Sequence, residues 1–257
     1  MPPPHPDPYR PGMTTPPHRT RLTFHGPLSE TRADALVQRL TRHRPTTVLD
    51  IGCGSGELML RVLAAAPEAT GTGIDLDTGD LARGRKAAAD RGLASRARFL
   101  EESATGTTRG PADLVLCVGS SQALGDRLPE ALGELRRLVT DHGRVLLGEG
   151  FWQRIPAPEE LSRMWPEAAV TDHHDLATLV DLAIEAGFRP EWTETASLDE
   201  WEAFESGYLA DTEVWLAEHP RHPLAEETRQ RVDRHRARWL AYRGVLGLAY
   251  LTLVPTV

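Results

Sequence analysis

The chain of 257 residues carries 37 acidic and 29 basic side chains, which gives a formal net charge of -8 and an isoelectric point near 5.7. This balance argues against a protein whose main task is to bind nucleic acid or an anionic membrane, because both partners require a positive field. Two separated cysteines provide neither a disulfide framework nor metal-ligand spacing. No apolar stretch approaches the roughly 20 residues of a membrane helix, so we expect a cytoplasmic protein that acts on a small molecule and binds neither membrane nor nucleic acid.

The first 20 residues differ from the rest of the chain in composition. They are dominated by proline, histidine and arginine, which leaves little apolar surface to bury. Residues 1–20 are therefore predicted to form a disordered tail, or an arm that orders only over a bound ligand, ahead of a domain over residues 21–257. From Ser29 to Leu40, apolar residues recur at helical spacing, and Ser29 can cap the first turn of the helix so predicted.

Short strands and helices then alternate along the chain. Apolar runs with β-branched residues alternate with segments of helical periodicity. The predicted strands are 47–51, 70–74, 96–100, 113–118 and 144–147, and the predicted helices are 57–66, 80–91 and 128–139. Strands and helices in this order indicate right-handed βαβ units, and hence a mostly parallel sheet with helices on both faces.

The alternation ends near Glu149. A proline-bearing segment, 151–165, precedes a helix and a strand, and two charged helices follow before a last apolar strand. The predicted elements are a helix at 174–186, a strand at 190–195, helices at 198–218 and 224–242, and a strand at 245–254. The prediction is therefore an α/β fold with seven strands and a helical insertion before the last one. It divides into a ligand-binding core, 46–150, and a second region, 151–244.

A glycine-rich loop, Asp50-Ile51-Gly52-Cys53-Gly54-Ser55-Gly56, follows the first predicted strand. Ligands of open parallel sheets bind at the carboxyl ends of the strands, and glycines allow the backbone to approach them closely. A dinucleotide fingerprint starting at Gly52 or Gly54 would need glycine at position 57 or 59, where the chain has Glu57 and Met59. The Gly-Lys-Ser/Thr ending of a P-loop is also missing. The loop thus predicts a ligand other than NAD or a nucleoside triphosphate.

Residues 48–56, Val-Leu-Asp-Ile-Gly-Cys-Gly-Ser-Gly, resemble the first motif of the class I S-adenosylmethionine (SAM)-dependent methyltransferases at nearly every position. The resemblance is strong over about residues 48–150. Beyond them the chain is similar to a branch of bacterial small-molecule methyltransferases. The resemblance implies a Rossmann-like class I methyltransferase fold, SAM as the cofactor and S-adenosylhomocysteine (SAH) as the product.

The same resemblance assigns the cofactor-binding residues. Asp50 and the loop glycines would lie beside the amino-acid part of SAM, and Asp75, about 20 residues after the loop, is placed to accept hydrogen bonds from both ribose hydroxyls. Many members of the family carry an aspartate after the third strand that binds the adenine amino group. Here Ser103 replaces it, with Glu102 beside it. The predicted set is Asp50, Gly52, Cys53, Gly54, Gly56, Asp75, Leu76, Glu102, Ser103, Ala104, Cys117 and Gly119.

The acceptor side is less constrained by motifs. Methyl transfer from a sulfonium is an in-line displacement that needs a nucleophile roughly 3 Å from the methyl carbon and the exclusion of water. A general base is needed only when the reacting atom of the acceptor carries a proton, and the candidates are His25 and Glu149. The loop 117–122 resembles the segment that reaches the methyl group. The predicted substrate-binding residues are Ser120, Gln122, Phe151, Trp152 and Tyr208.

Two further patterns have competing interpretations. Trp201, Tyr208 and Trp215 recur every seven residues on one helix face. They are interpreted as a surface on which the helix docks, with a pocket wall over the acceptor as the alternative. The segment 172–175, Asp-His-His-Asp, is interpreted as a solvated helix cap, because four adjacent ligands rarely converge on one ion. No metal is predicted.

The leading hypothesis is therefore SAM-dependent methyl transfer to a small molecule. One alternative is a methyltransferase acting on tRNA or protein, against which the acidic composition counts. Another is a SAM-binding protein without catalytic activity, since binding and catalysis share the same loop. The sequence leaves open the acceptor, its reacting atom, and the choice between a monomer and a homodimer.

Overall fold

The computed structural model describes residues 15–17 and 22–256. Seven strands form one sheet in these ranges: β1 (Thr47–Ile51), β2 (Thr70–Asp75), β3 (Ala97–Glu101), β4 (Ala112–Val118), β5 (Val139–Trp152), β6 (Phe188–Thr195) and β7 (Leu246–Pro255). The helices are α1 (Glu30–Thr41), α2 (Glu57–Ala65), α3 (Thr78–Asp90), α4 (Leu128–Leu138), α5 (Pro158–Leu161), α6 (Leu176–Glu185), α7 (Leu198–Glu218) and α8 (Ala225–Tyr242).

The strand order is β3-β2-β1-β4-β5-β7-β6. Strands β1 to β5 pair in parallel, whereas β7 is antiparallel to both of its neighbours, β5 and β6. The predicted fold is confirmed: a mostly parallel seven-stranded sheet with a helical insertion, α7 and α8, before the last strand. Strand order reverses between β1 and β4, and ligands of such sheets bind at this point.

Each face of the sheet is covered by its own layer of helices. On one face, α4 and α6 pack against β1, β4 and β5 through residues such as Leu135, Leu179 and Val115. On the other face, α1, α2 and α3 pack through residues such as Leu36 and Leu60. Because both faces are buried, the central strands are continuous apolar runs and do not alternate with polar residues.

Helix α7 is joined to α1 by a buried carboxylate. Glu200 completes the capping box of α7 by accepting a hydrogen bond from the Ser197 backbone N–H at 2.8 Å. It also accepts from the Ser29 hydroxyl at 2.7 Å and from Arg32 at 2.8 Å. Burial alone would raise the pKa of Glu200, but these donors lower it to about 2. The start of the insertion is thereby fixed against the first helix.

One difference from the sequence-based expectation concerns the fifth strand, which begins at Val139 where the prediction placed its start at residue 144. The fifth strand continues to Trp152, well beyond the predicted residue 147, because its carboxyl half pairs with β7 as far as Leu246. The predicted tail, residues 1–20, lies outside the described residues except at 15–17. There the buried Pro17 carbonyl accepts a hydrogen bond from the Thr212 hydroxyl of α7 at 3.0 Å.

Candidate active site

The glycine loop connects β1 to α2 at the switch point of the sheet. Gly52 and Gly56 have φ angles of +60° and +68°, which L side chains rarely adopt. A Cβ added at Gly52 would lie 2.5 Å from the Ser120 Cβ, and one at Gly56 would lie 2.4 Å from the Phe99 ring. Ser120 donates a hydrogen bond to the Ile51 carbonyl at 2.6 Å. The loop is therefore packed directly against the segment that follows β4.

Asp75 lies at the end of β2 and contacts the glycine loop. Its carboxylate accepts hydrogen bonds from the Gly54 backbone N–H at 2.7 Å and from the Asp77 N–H at 2.9 Å. Asp77 in turn caps α3 by accepting from the Asp80 N–H at 2.9 Å. Asp75 thus supports the shape of the loop and places a carboxylate at the carboxyl-terminal edge of the sheet, where the glycine loop also lies.

Asp50 is buried beneath the loop, with 7% of its surface exposed. Desolvation, together with the nearby charge of Asp75, raises its pKa to about 8. An acid in this position is neutral at physiological pH until a positive charge approaches it. The site is therefore electrostatically suited to a cationic group.

The segment after β3 lies at the same edge. The Glu102 backbone N–H donates to the Asp75 carbonyl at 3.1 Å. A hydrogen bond from Arg109 at 2.6 Å lowers the pKa of the Glu102 carboxyl, so this carboxylate is paired. Ser103 accepts a hydrogen bond from the Thr105 N–H at 3.2 Å. Leu76 is exposed at this edge, whereas Ala104 is buried in the core.

A cavity of about 270 Å³ joins the glycine loop to parts of the chain outside the 46–150 core. The core contributes the loop, the start of α2 and the end of β4. The remaining wall comes from the segment before α1, from α7 and from β7. The lining residues are Thr23, Phe24, His25, Gly26, Pro27, Leu28, Asp50, Gly52, Cys53, Gly54, Ser55, Glu57, Leu58, Val118, Gly119, Trp201, Phe204, Leu248 and Tyr250.

The two candidate bases lie in different cavities. His25 lines the cavity of the glycine loop, and its Nδ1 is 3.5 Å from the Asp80 carboxylate. Glu149 lines a second cavity of about 520 Å³ with Ser121, Gln122 and His173. Burial raises the pKa of the Glu149 carboxyl. The structure therefore brings only His25 together with the glycine loop.

Three predicted site residues of the β4–α4 region do not line the cavity of the glycine loop. The side chain of Cys117 is fully buried in the core. The Ser120 hydroxyl is committed to the Ile51 carbonyl. Gln122 donates to the Gly119 carbonyl at 3.3 Å and lines the second cavity. In this region the cavity is lined by Val118 and Gly119.

The interpretation of Phe151 and Trp152 as pocket walls is corrected by the longer β5. Both residues lie within the strand and are only 4% exposed. The Phe151 ring occupies the space beside Gly247 of β7. Trp152 stacks on Trp165 and donates its indole N–H to the Val170 carbonyl at 2.8 Å. Both side chains therefore contribute to packing.

The aromatic residues of α7 divide between two roles. Tyr208 and Trp215 belong to the apolar cluster that packs α7 against α8, as the docking interpretation expects. The prediction that Tyr208 binds the substrate is therefore corrected, because Tyr208 does not line the cavity. Trp201, one turn after the start of α7, lines the cavity instead. Sequence reasoning missed Phe204, although it lies three residues after Trp201 and hence on the same helix face. It also missed Phe24, Leu28, Leu248 and Tyr250, which only the tertiary structure brings to the cavity.

Residues 15–17 and 22–256 contain no group of three or more His, Cys, Asp or Glu side chains arranged to hold a metal ion. The helices in these ranges include none that is both long and apolar enough to cross a membrane.

A glycine loop at the switch point, an acidic residue at the end of β2 that contacts the loop, and a cavity lined by the loop are the features of a nucleotide-binding α/β protein of Rossmann-like type. Comparison with known proteins identifies its chemistry. A family model described as a methyltransferase domain matches residues 49–145. A crystal structure of a SAM-dependent methyltransferase from Geobacter sulfurreducens, in complex with SAH, superposes with a TM-score of 0.81 and 26% identity, covering 91% of this chain and 94% of that one.

Two sequence relatives extend the comparison. The uncharacterized protein YjhP of Escherichia coli is 29% identical over 85% of this chain and 88% of its own length. The demethylmenaquinone methyltransferase of Thermus thermophilus is 28% identical over 57% of this chain and 84% of its own length. These matches support a class I SAM-dependent methyltransferase, with SAM as its cofactor.

Proposed function

We propose that the chain transfers the methyl group of SAM to a small-molecule acceptor held in the cavity beside the glycine loop. The observation that carries this proposal is the composition of that cavity. One wall is the cofactor loop, and the other is built by the segment before α1, by α7 and by β7. A molecule in this space is enclosed by elements from three distant parts of the sequence, as small ligands usually are.

The residues at the site fit SAM. Gly52 and Gly54 of the loop line the cavity, and a Cβ at Gly119, which follows β4 and also lines it, would meet nothing within 4 Å. Asp50 and Asp75 lie close together in a poorly solvated setting that favours a cationic ligand, and SAM carries an ammonium and a sulfonium group. We assign the amino-acid part to Asp50 and the loop, the ribose to Asp75 and Leu76, and the adenine to Glu102, Ser103 and Ala104.

When bound, SAM supplies an electrophilic methyl group: the lone pair of the acceptor forms the new bond to carbon while the carbon–sulfur bond breaks and its electrons remain on sulfur. The protein orients the acceptor and excludes water. Phe24 and Leu28 cover the cavity from the amino-terminal side, and Trp201 and Phe204 cover it from α7. Where the reacting atom carries a proton, we assign its acceptance to His25, which Asp80 orients.

The comparisons support a small-molecule acceptor. The relative from Thermus thermophilus is named for a small-molecule substrate and aligns with this chain over most of its own length. The net charge of -8 disfavours tRNA. The cytoplasmic location, the monomeric or homodimeric state and the division into a core, 46–150, and an acceptor region, 151–244, remain predictions.

Calorimetric titration with SAM, SAH and, as a control, NADH tests the cofactor assignment. We expect saturable binding of the two sulfur nucleotides and none of NADH. Incubation with SAM and a fractionated metabolite extract, followed by measurement of SAH, then tests turnover. SAH formation only with protein or RNA fractions would contradict a small-molecule acceptor, and binding without turnover in any fraction would indicate a SAM-binding protein without catalytic activity.

A further inference from the structure

The wall of the cavity opposite the glycine loop is apolar and partly aromatic. It contains Phe24, Trp201, Phe204 and Leu248. Tyr250 also lies there, but its hydroxyl already donates a hydrogen bond to the Pro27 carbonyl at 3.0 Å. Asp75, Leu76, Glu102 and Ser103 do not line this cavity. The residues proposed to hold the ribose and the adenine are therefore not part of the apolar wall, which is available to the acceptor.

Charge limits what this wall can accept. The described residues that line the cavity include no lysine or arginine, so an anionic acceptor meets no opposite charge there. The histidine, aspartate and glutamate side chains of the lining are His25, Asp50 and Glu57. Glu57 is already paired with Arg61 at 2.8 Å and Arg91 at 2.6 Å. A cationic acceptor would be repelled by the sulfonium charge of the cofactor at short range.

The size and the poor solvation of the cavity also limit what the acceptor can be. The cavity of about 270 Å³ lies just below the range of roughly 300–1,000 Å³ that holds drug-sized ligands. Because the amino-acid part of SAM would take up some of this space beside Asp50 and the loop, the acceptor must be small. Poor solvation of the site is independently indicated by Asp50, whose pKa is raised to about 8 mainly by burial. Aromatic walls in such a setting bind flat apolar surfaces well, because both partners lose contact with water.

We propose that the acceptor is an uncharged, mainly apolar molecule with one or two rings, held between α7 and the segment before α1. This inference rests on the proposed methyltransferase function. It predicts that recognition depends on Trp201, Phe204 and Leu248, and that a formal charge of either sign on the acceptor weakens binding.

Three probes of one shape test the proposal: 1-naphthol, 1-naphthoate and 1-naphthylmethylamine, titrated at pH 7 into the full chain saturated with SAM, whose sulfonium supplies the charge that would repel the ammonium probe. We expect saturable binding of 1-naphthol, with a dissociation constant at least tenfold lower than those of the carboxylate and the ammonium compound. Equal or tighter binding of either charged probe would overturn the proposal. So would the absence of binding of all three probes to protein that binds SAH normally, and that result would leave the methyltransferase function intact.

Variants locate the binding surface. Phe204→Ala is expected to weaken 1-naphthol binding by about tenfold, because one aromatic contact is lost, while SAH binding stays unchanged. Leu240→Ala is the matched control, since Leu240 is half exposed on α8 and outside the cavity. Phe204→Arg is expected to reverse the preference, so that 1-naphthoate binds more tightly than 1-naphthol. Unchanged 1-naphthol affinity in Phe204→Ala would contradict the assignment of Phe204 to the acceptor wall. If the unmodified chain does not bind SAH, both the proposed function and this inference are contradicted.

Discussion

The cofactor region and the acceptor region of this protein are built on different principles. In the cofactor region, backbone geometry forms the site: glycines at positive φ, a carboxylate that accepts backbone N–H groups, and loops packed against each other. In the acceptor region, side chains from the amino-terminal segment, α7 and β7 form the wall. Backbone requirements restrict the sequence severely, whereas an apolar wall can be built from many side chains. The first region therefore identifies the class of enzyme, and in the proposed function the second selects the acceptor.

The largest effect is expected in the cofactor region, from Gly52→Ala. The new Cβ would require a positive φ and would lie 2.5 Å from the Ser120 Cβ. We expect the free energy of unfolding to fall by about 3 kcal/mol, from backbone strain and overpacking, and SAH binding to be lost. Urea denaturation and calorimetry measure the two effects. Gly133→Ala is the control, because a Cβ there meets nothing within 4 Å. Normal SAH affinity in Gly52→Ala would show that the loop is not the cofactor site.

Asp75→Ala tests the contact between β2 and the cofactor. The variant loses charge-assisted hydrogen bonds to the ligand as well as the support of the Gly54 N–H. SAM affinity is expected to fall by roughly 1–3 kcal/mol. Asp90→Ala, an exposed substitution on the neighbouring helix α3, should bind SAM normally. If the affinities of the two variants are equal, the ribose position has been assigned wrongly.

The pKa of Asp50 gives a dependence on pH. Because Asp50 is protonated in the ligand-free protein below about pH 8, binding of a cationic ligand there must release its proton. SAM affinity should therefore rise up to tenfold, about 1.4 kcal/mol, for each pH unit between roughly 5.5 and 7.5. Asp50 is also more protonated in the folded than in the unfolded chain, so its contribution to stability falls as pH rises from about 4 to about 8. Calorimetry in buffers of different ionisation enthalpy measures the released proton, and Asp50→Asn should abolish its release.

A smaller effect is expected where the acceptor region is attached to α1, at Glu200. Glu200→Gln keeps the shape but weakens the bonds from Arg32 and Ser29, at a cost of roughly 1 kcal/mol of stability at pH 7. The pKa of Glu200 is about 2 against an ordinary value of 4.5. Its contribution is therefore complete above pH 4.5 and disappears as pH falls toward 2. Glu202→Gln, at an exposed ion pair with Arg243, is the control. A difference from the unmodified chain that persists at pH 2 would contradict the charge-based explanation.

The sequence predicted these two regions unequally, for physical reasons. Strands β1 to β4 were predicted to within one residue, because buried parallel strands are distinct apolar runs between glycines and caps. The end of β5 was missed since its Gly148-Glu149-Gly150 segment is unlike a strand and is held by β7, about 100 residues later. Asp75 was found from its spacing to the loop. Leu248 and Tyr250 could not be found in this way, because only the pairing of β7 with β5 brings them to the cavity.

The smallest effect is expected for Glu149→Gln, which separates the two candidate bases. Glu149 lies at the end of the 46–150 core, yet it lines the second cavity with His173 and not the cavity of the glycine loop. Burial raises the pKa of its carboxyl, and glutamine keeps the shape of the side chain. SAH affinity and turnover should each change by less than about twofold, equivalent to roughly 0.4 kcal/mol. His25→Gln, the matched substitution in the first cavity, should lower turnover with a hydroxyl acceptor while retaining SAH affinity. If Glu149→Gln lowers turnover and His25→Gln does not, the acceptor binds in the second cavity, because a base must lie within hydrogen-bonding distance of the proton that it removes.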